Sequence, residues 1–156
     1  YDGTVWESSV NLSNVLLEWH GGHDNANNQR VSNASLTATP TGAYYYIGVP
    51  AAQAGAYVTV IKTKWTKTSG VGTWTIKGKI WGSGASRTAN LKVDIGGQNS
   101  NVSGTANQTT PEDVSFTVDV SSLALNTVYD VIVQLKEAAG NTDAAIYLGD
   151  IIALGS

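Results

Sequence analysis

Val114-Ser115-Phe116-Thr117-Val118-Asp119-Val120 places an apolar side chain at every second position and a polar one between. Successive side chains of an extended strand point to opposite faces, so this period of two buries one face and wets the other. Upstream, Leu91, Val93 and Ile95 alternate with Lys92 and Asp94, and Trp74, Ile76, Gly78 and Ile80 alternate with Thr75, Lys77 and Lys79. No stretch sustains a helical period. Strands are expected near 4–10, 14–20, 31–38, 43–49, 56–66, 72–82, 89–96, 113–120, 127–136 and 145–154. Thr68-Ser69-Gly70-Val71-Gly72 and Gly96-Gly97-Gln98-Asn99-Ser100 punctuate them with turn chemistry. Short strands at regular spacing predict an all-β chain built as a sandwich or a barrel; a single antiparallel β-sandwich, jelly-roll in kind, is the expected form. Trp74, Ile76, Ile80, Phe116 and Val118 are expected in its core.

The 156 residues suit one domain, since domains commonly run to about 100–200 residues. The expected division is an N-terminal arm or first strand over residues 1–12 and the sandwich over 13–156. With no cysteine, thiol catalysis, Cys-ligated zinc, iron–sulfur clusters and disulfides are excluded. Ser, Thr, Asn and Gly are abundant while charged residues make up 13%, a surface common among secreted and particle-associated β-proteins. No run of apolar residues is long enough for a membrane helix, so membrane insertion is not expected. The chain begins at Tyr1 rather than Met, which fits a processed N-terminus and an extracellular, secreted or particle-surface location.

The catalytic inventory is thin. G-x-S-x-G, the P-loop and H-E-x-x-H are absent. Gly82-Ser83-Gly84-Ala85-Ser86-Arg87 lacks the final glycine and following helix of a dinucleotide fingerprint, and reads as a turn. The expectation is a non-enzyme requiring no cofactor. His20-Gly21-Gly22-His23-Asp24-Asn25 spaces two imidazoles and a carboxylate as a transition-metal loop could, but equally as a polar surface hairpin. Asp24 and Asp150 are oxygen donors suited to calcium, without an EF-hand array. Sequons at Asn11, Asn33, Asn101 and Asn107 are acceptor sites if the chain is exported to a competent host.

Charge is unevenly distributed along the chain. Residues 25–93 hold Arg30, Lys62, Lys64, Lys67, Lys77, Lys79, Arg87 and Lys92 without one acid, whereas residues 94–156 hold eight acids against Lys136. If strands 56–66 and 72–82 form a hairpin, Lys62 and Lys64 stand beside Lys77 and Lys79 on its solvent face. Like charges across strands repel, so this surface calls for an anionic neighbour: a partner, or acidic strands of the same domain. Trp81 ends the Lys77, Lys79 row, and Tyr44 and Tyr46 share a face opposite Tyr45. Outward aromatics suit sugar stacking or a subunit interface, although β-sandwich aromatics are also ordinary core. The net charge of −3 and the lack of a binding motif exclude nucleic acid from the expected partners.

Val118-Asp119-Val120-Ser121-Ser122-Leu123, Thr127-Val128-Tyr129-Asp130-Val131-Ile132-Val133 and Ile146-Tyr147-Leu148-Gly149-Asp150-Ile151-Ile152 together resemble the closing strands of jelly-roll carbohydrate-binding modules and of virion-surface sandwiches. In such modules an acid precedes two apolar residues of the last strand, as Asp150 does here, and that acid sometimes ligates a structural calcium. Two functions are weighed. One is a self-associating structural subunit of a filament, surface layer or virion decoration. It would join by basic-to-acidic face contact and by a donated N-terminal strand anchored through Trp6 and Val10. The alternative is a carbohydrate-binding module, suited to an acidic polysaccharide. Its binding surface would comprise Lys62, Lys64, Lys77, Lys79, Trp81, Tyr44 and Tyr46. The expected partners are copies of the chain itself and polysaccharide.

Overall fold

The computed structural model describes residues 15–20 and 35–37 as backbone, and 46–68, 70–84 and 86–156 in full. These residues form β1 (Val15–His20), β2 (Ser35–Thr37), β3 (Tyr46–Val49), β4 (Val58–Lys67), β5 (Thr73–Gly82), β6 (Ala89–Ile95), β7 (Gln98–Ser103), β8 (Glu112–Asp119), β9 (Thr127–Glu137) and β10 (Ile146–Gly155), with a single 3₁₀ turn at Ala51–Gln53. The expected arm over residues 1–12, the strand near 4–10 and the loop carrying His23 and Asp24 lie outside the described residues.

All pairings are antiparallel and fall into two sheets. One has six strands in the order β2-β3-β10-β5-β8, with β1 also paired to β10; the other runs β4-β9-β6-β7. Alternation turns one face of each sheet inward. Trp74, Ile76, Ile80, Val118, Leu148, Ile151 and Ala153 meet Val60, Leu91, Val93, Ile95, Val131, Val133 and Leu135 in one continuous core. This is the all-β sandwich that the alternation predicts.

Three local readings are corrected. Strands 56–66 and 72–82 do not form a hairpin, because β4 pairs with β9 while β5 lies between β10 and β8 in the opposite sheet. Gln98-Asn99-Ser100 is strand rather than turn. The turn is Gly96-Gly97 alone, both at positive φ (+61° and +90°), a two-residue connection that glycine permits. Phe116 is half-buried against the core, because β8 is an edge strand, whereas Trp74, Ile76, Ile80 and Val118 are buried as expected.

Two irregularities set which residues face outward. Pairing of β10 with β5 shifts register between Leu148 and Asp150, leaving Gly149 as the extra residue. Inward positions therefore pass from Ile146 and Leu148 to Ile151 and Ala153, and Asp150 turns outward. A similar shift between Thr59 and Ile61 on β4 moves the inward set from Val58 and Val60 to Ile61, Trp65 and Lys67. Lys67 is consequently buried, and its Nζ donates to the Val120 carbonyl at 2.8 Å and the Ser121 carbonyl at 3.4 Å.

Candidate functional site

The outer face of the six-stranded sheet gathers three aromatic rings from strands distant in sequence. Tyr147 on β10 stands opposite Trp81 of β5 on one side and Gly48 of β3 on the other. Because Gly48 has no side chain, Tyr46 of the same strand can close over the pair. Ring centroids are 5.3 Å apart for Tyr46–Trp81, 4.7 Å for Tyr46–Tyr147 and 5.3 Å for Trp81–Tyr147. The first two contacts are edge-on and the third tilted, arrangements favoured by the ring quadrupole. Gly149 makes this packing feasible, since a β-carbon there would lie 3.0 Å from Cζ3 of Trp81.

The rings border a cleft of about 260 Å³ completed by Gly82, Ser83, Thr109, Thr110 and Pro111. Tyr46 and Trp81 are almost wholly buried, so Tyr147 offers the most open ring. Ser83 Oγ accepts the Ala145 N–H at 2.9 Å, and Thr110 Oγ1 accepts Gln108 Nε2 at 3.2 Å. Among the described residues, no charged side chain lines the cleft. Burial raises the Tyr147 phenol above its usual value, and neighbouring Tyr46 adds to this against a hydrogen bond to Ser83. The ring is therefore a neutral hydroxyl at ordinary pH. The cleft presents aromatic surface beside hydroxyls.

The basic residues are distributed quite differently. Asp130 on β9 accepts Lys64 Nζ at 3.1 Å and lies 3.2 Å from Lys62 Nζ. Hydrogen bonds from Lys64 and then Lys62 hold its carboxyl below the usual carboxylate range. Lys79 contacts Asp113 at 2.6 Å, and in register it stands between Asp113 and Asp150. Arg87 grips Asp143, with Nε donating at 2.5 Å. Lys77 borders a shallow open groove with Gly78, Asp113, Val114 and Ser115. The four lysines singled out as one surface thus divide between opposite outer faces, Lys62 and Lys64 on one and Lys77 and Lys79 on the other. The folded chain sets Asp130, Asp113 and Asp143 beside Lys62, Lys64, Lys79 and Arg87, which offsets part of the segregation seen along the sequence.

Tyr44, Trp6, Val10, Asn11, Asn33 and Asp24 lie outside the described residues. His20 closes β1, in register with Asp150. Among the described residues no group of three or more His, Asp and Glu gathers to hold a metal ion. Asn101 is exposed on β7 and its Oδ1 accepts Asn90 Nδ2 at 3.2 Å; Asn107 is exposed in a turn at φ +66°. Sequence reasoning missed Tyr147. Its signal was a lone outward aromatic between two buried aliphatics in Ile146-Tyr147-Leu148.

No family model matches the chain, and no curated protein matches it. Solved structures do. The CBM36-1 domain of a multidomain xylanase from the hindgut metagenome of Trinervitermes trinervoides superposes with a TM-score of 0.53 at 12% identity, covering 81% of this chain and 89% of that one. A protein of Bacteroides thetaiotaomicron, provisionally described as sugar-binding, gives a TM-score of 0.56 at 8% identity, covering 83% and 86%. The likeness is one of fold. It agrees with the jelly-roll resemblance of the closing strands, and residue roles rest on the geometry of this chain.

Proposed function

We propose that this chain is a non-catalytic, extracellular carbohydrate-binding domain that holds an uncharged sugar ring against Tyr147 in the cleft formed with Tyr46 and Trp81. The observation that carries this reading is the convergence of three rings and the hydroxyls of Ser83, Thr109 and Thr110 on one cleft that, among the described residues, has no lining charge. A pyranose has an apolar face that stacks on an aromatic ring and an equatorial rim of hydroxyls that hydrogen-bond to Ser and Thr. The abundance of Ser, Thr, Asn and Gly and the fold shared with solved domains support it. Among the described residues no helix is long and apolar enough to cross a membrane.

The reading as a self-associating subunit is less favoured, since Lys62, Lys64, Lys79 and Arg87 of the basic middle meet carboxylates of the same chain. Titration of neutral oligosaccharides, xylo-, cello- and manno-oligomers, by calorimetry and tryptophan fluorescence tests the proposal. Binding that Tyr147→Ala weakens by at least about tenfold, roughly one stacking contact or 1.4 kcal/mol, is the expected result. Affinity unchanged in that variant, or no binding across the panel, overturns it.

A further inference from the structure

The outer face of the four-stranded sheet carries a second cationic arrangement, unlike the ion pairs beside it. Tyr57, just before β4, lies over Asn90 of β6 and donates its hydroxyl hydrogen to Asn90 Oδ1 at 2.6 Å. Lys92 of β6 and Lys136 of β9 both bring Nζ onto this one ring, 5.1 and 4.8 Å from its centroid. Asn90 stands opposite Lys136 in register, and Lys92 stands two residues further along the same face of β6. Lys62, Lys64, Lys79 and Arg87 each have a carboxylate partner, and Lys67 is engaged by main-chain carbonyls. Lys92 and Lys136 have no carboxylate at ion-pair distance among the described residues. The acids on this face are committed elsewhere: Asp130 to Lys62 and Lys64, and Asp94 to the Gly97 N–H at 2.9 Å. Burial raises the Tyr57 phenol above its usual value, so the ring supplies only its quadrupole and no charge.

We propose that Lys92, Lys136 and Tyr57 form a binding site for the anionic groups of an acidic polysaccharide, carboxylate or sulfate. Two ammonium groups gathered at one neutral ring make a local positive charge, which the oxyanions of a ligand neutralise while accepting hydrogen bonds from them. The surroundings are amides and hydroxyls that suit a sugar. Gln134 faces Lys92 across β9 and β6. Asn101 and Ser103 line the neighbouring strand, both in hydrogen-bond contact with Asn90. The net charge of −3 and the small extent of the cationic pair favour a sparsely charged glycan over the dense phosphates of nucleic acid. The site is on the sheet opposite the aromatic cleft and does not depend on it. It also differs from the surface expected of Lys62, Lys64, Lys77 and Lys79.

Affinity electrophoresis and calorimetry of the full chain at low salt test the proposal, with polygalacturonate, dextran sulfate and unmodified dextran as probes. Retardation by at least one acidic polymer, absent with dextran and lost at high salt, is expected. The choice between polygalacturonate and dextran sulfate assigns carboxylate or sulfate. The Lys92→Gln, Lys136→Gln double variant should bind at least about tenfold more weakly while melting like the parent. Lys62→Gln with Lys64→Gln should leave acidic-polymer binding largely unchanged, which separates this site from the ion pairs. Equal binding by the double variant, no binding to either acidic polymer, or preferential capture of a single-stranded oligonucleotide overturns it.

Discussion

On the outer face of the six-stranded sheet, β3, β10 and β5 bring Tyr46, Tyr147 and Trp81 together around a cleft with no charged lining among the described residues. On the outer face of the four-stranded sheet, β4, β9 and β6 bring together Lys62, Lys64, Asp130, Lys136 and Lys92, with one tyrosine among them. Both faces arise from the same alternation, and both stand on the same core. What separates them is strand order: β10 joins β3 to β5 and so collects aromatics, whereas β9 joins β4 to β6 and so collects charges. A binding surface on a sandwich therefore belongs to cross-strand neighbours rather than to any segment of chain. The glycine bulge at position 149 sharpens the contrast, because it turns Asp150 outward beside Lys79 while leaving room for Trp81 on the aromatic side.

The strongest way to break the comparison is to remove what both faces share. Trp74 is wholly buried, packs edge-on against Trp65 at 5.3 Å, and its indole N–H finds no partner among the described residues. Trp74→Ala should cost about 3–5 kcal/mol in urea unfolding and disable both faces together. Phe116→Ala, half-buried on the edge strand, should cost clearly less. A loss below about 1 kcal/mol for Trp74→Ala would mean that the two sheets do not pack as described.

A middle-sized effect lies at the end of β9, beneath the charged face. Glu137 is buried; its Oε1 accepts the Thr88 N–H at 3.3 Å and its Oε2 the Asn141 N–H at 2.8 Å. Burial works against the charged carboxylate, but the backbone N–H groups of Asn141, Thr88 and Ala139, with Arg87 behind them, more than offset it and hold its pKa below the ordinary value. A depressed folded pKa means stability that is complete above the unfolded value and is lost as pH falls through the folded one. Glu137→Gln should therefore cost about 1–3 kcal/mol at neutral pH, and its deficit relative to the parent should shrink as the solution is acidified. A deficit independent of pH, measured by thermal melts across the acid range, would show that charge is not what those N–H groups recognise.

The smallest effect concerns the exposed ion pairs. Lys62→Gln with Lys64→Gln should change stability by only about 0–1 kcal/mol, because exposed pairs gain little net energy in water. It should also return the Asp130 carboxyl toward its ordinary titration range, readable by NMR. A loss well above that range would show that the charged face is part of what holds β4 to β9.

Much of the architecture was legible in local pattern. The alternation at 114–120, 91–95 and 74–80 located strands and their inward residues. The strands near 56–66, 72–82, 89–96, 127–136 and 145–154 fall on β4, β5, β6, β9 and β10 within a few residues. β7 escaped because Gln98-Asn99-Ser100-Asn101-Val102-Ser103 has a single apolar residue, Val102, too few to show alternation, and it is pairing with β6 that makes it a strand. The sites were less legible. Trp81 could be placed outward, but not beside Tyr147, which comes from a strand 66 positions further along the chain. Lys62 and Lys64 could be placed outward, but not against Asp130.

The sequence by itself determined the class of fold, the facing of most strands and the absence of thiol chemistry, because alternation and composition act between near neighbours. Tertiary structure decided which strands pair, where the bulge at Gly149 reverses facing, and hence which outward side chains meet. Those choices depend on hydrogen-bonded contacts between residues far apart in the chain. Period-two patterning is the same for every partner a strand might take, so it carries no information about which one it finds.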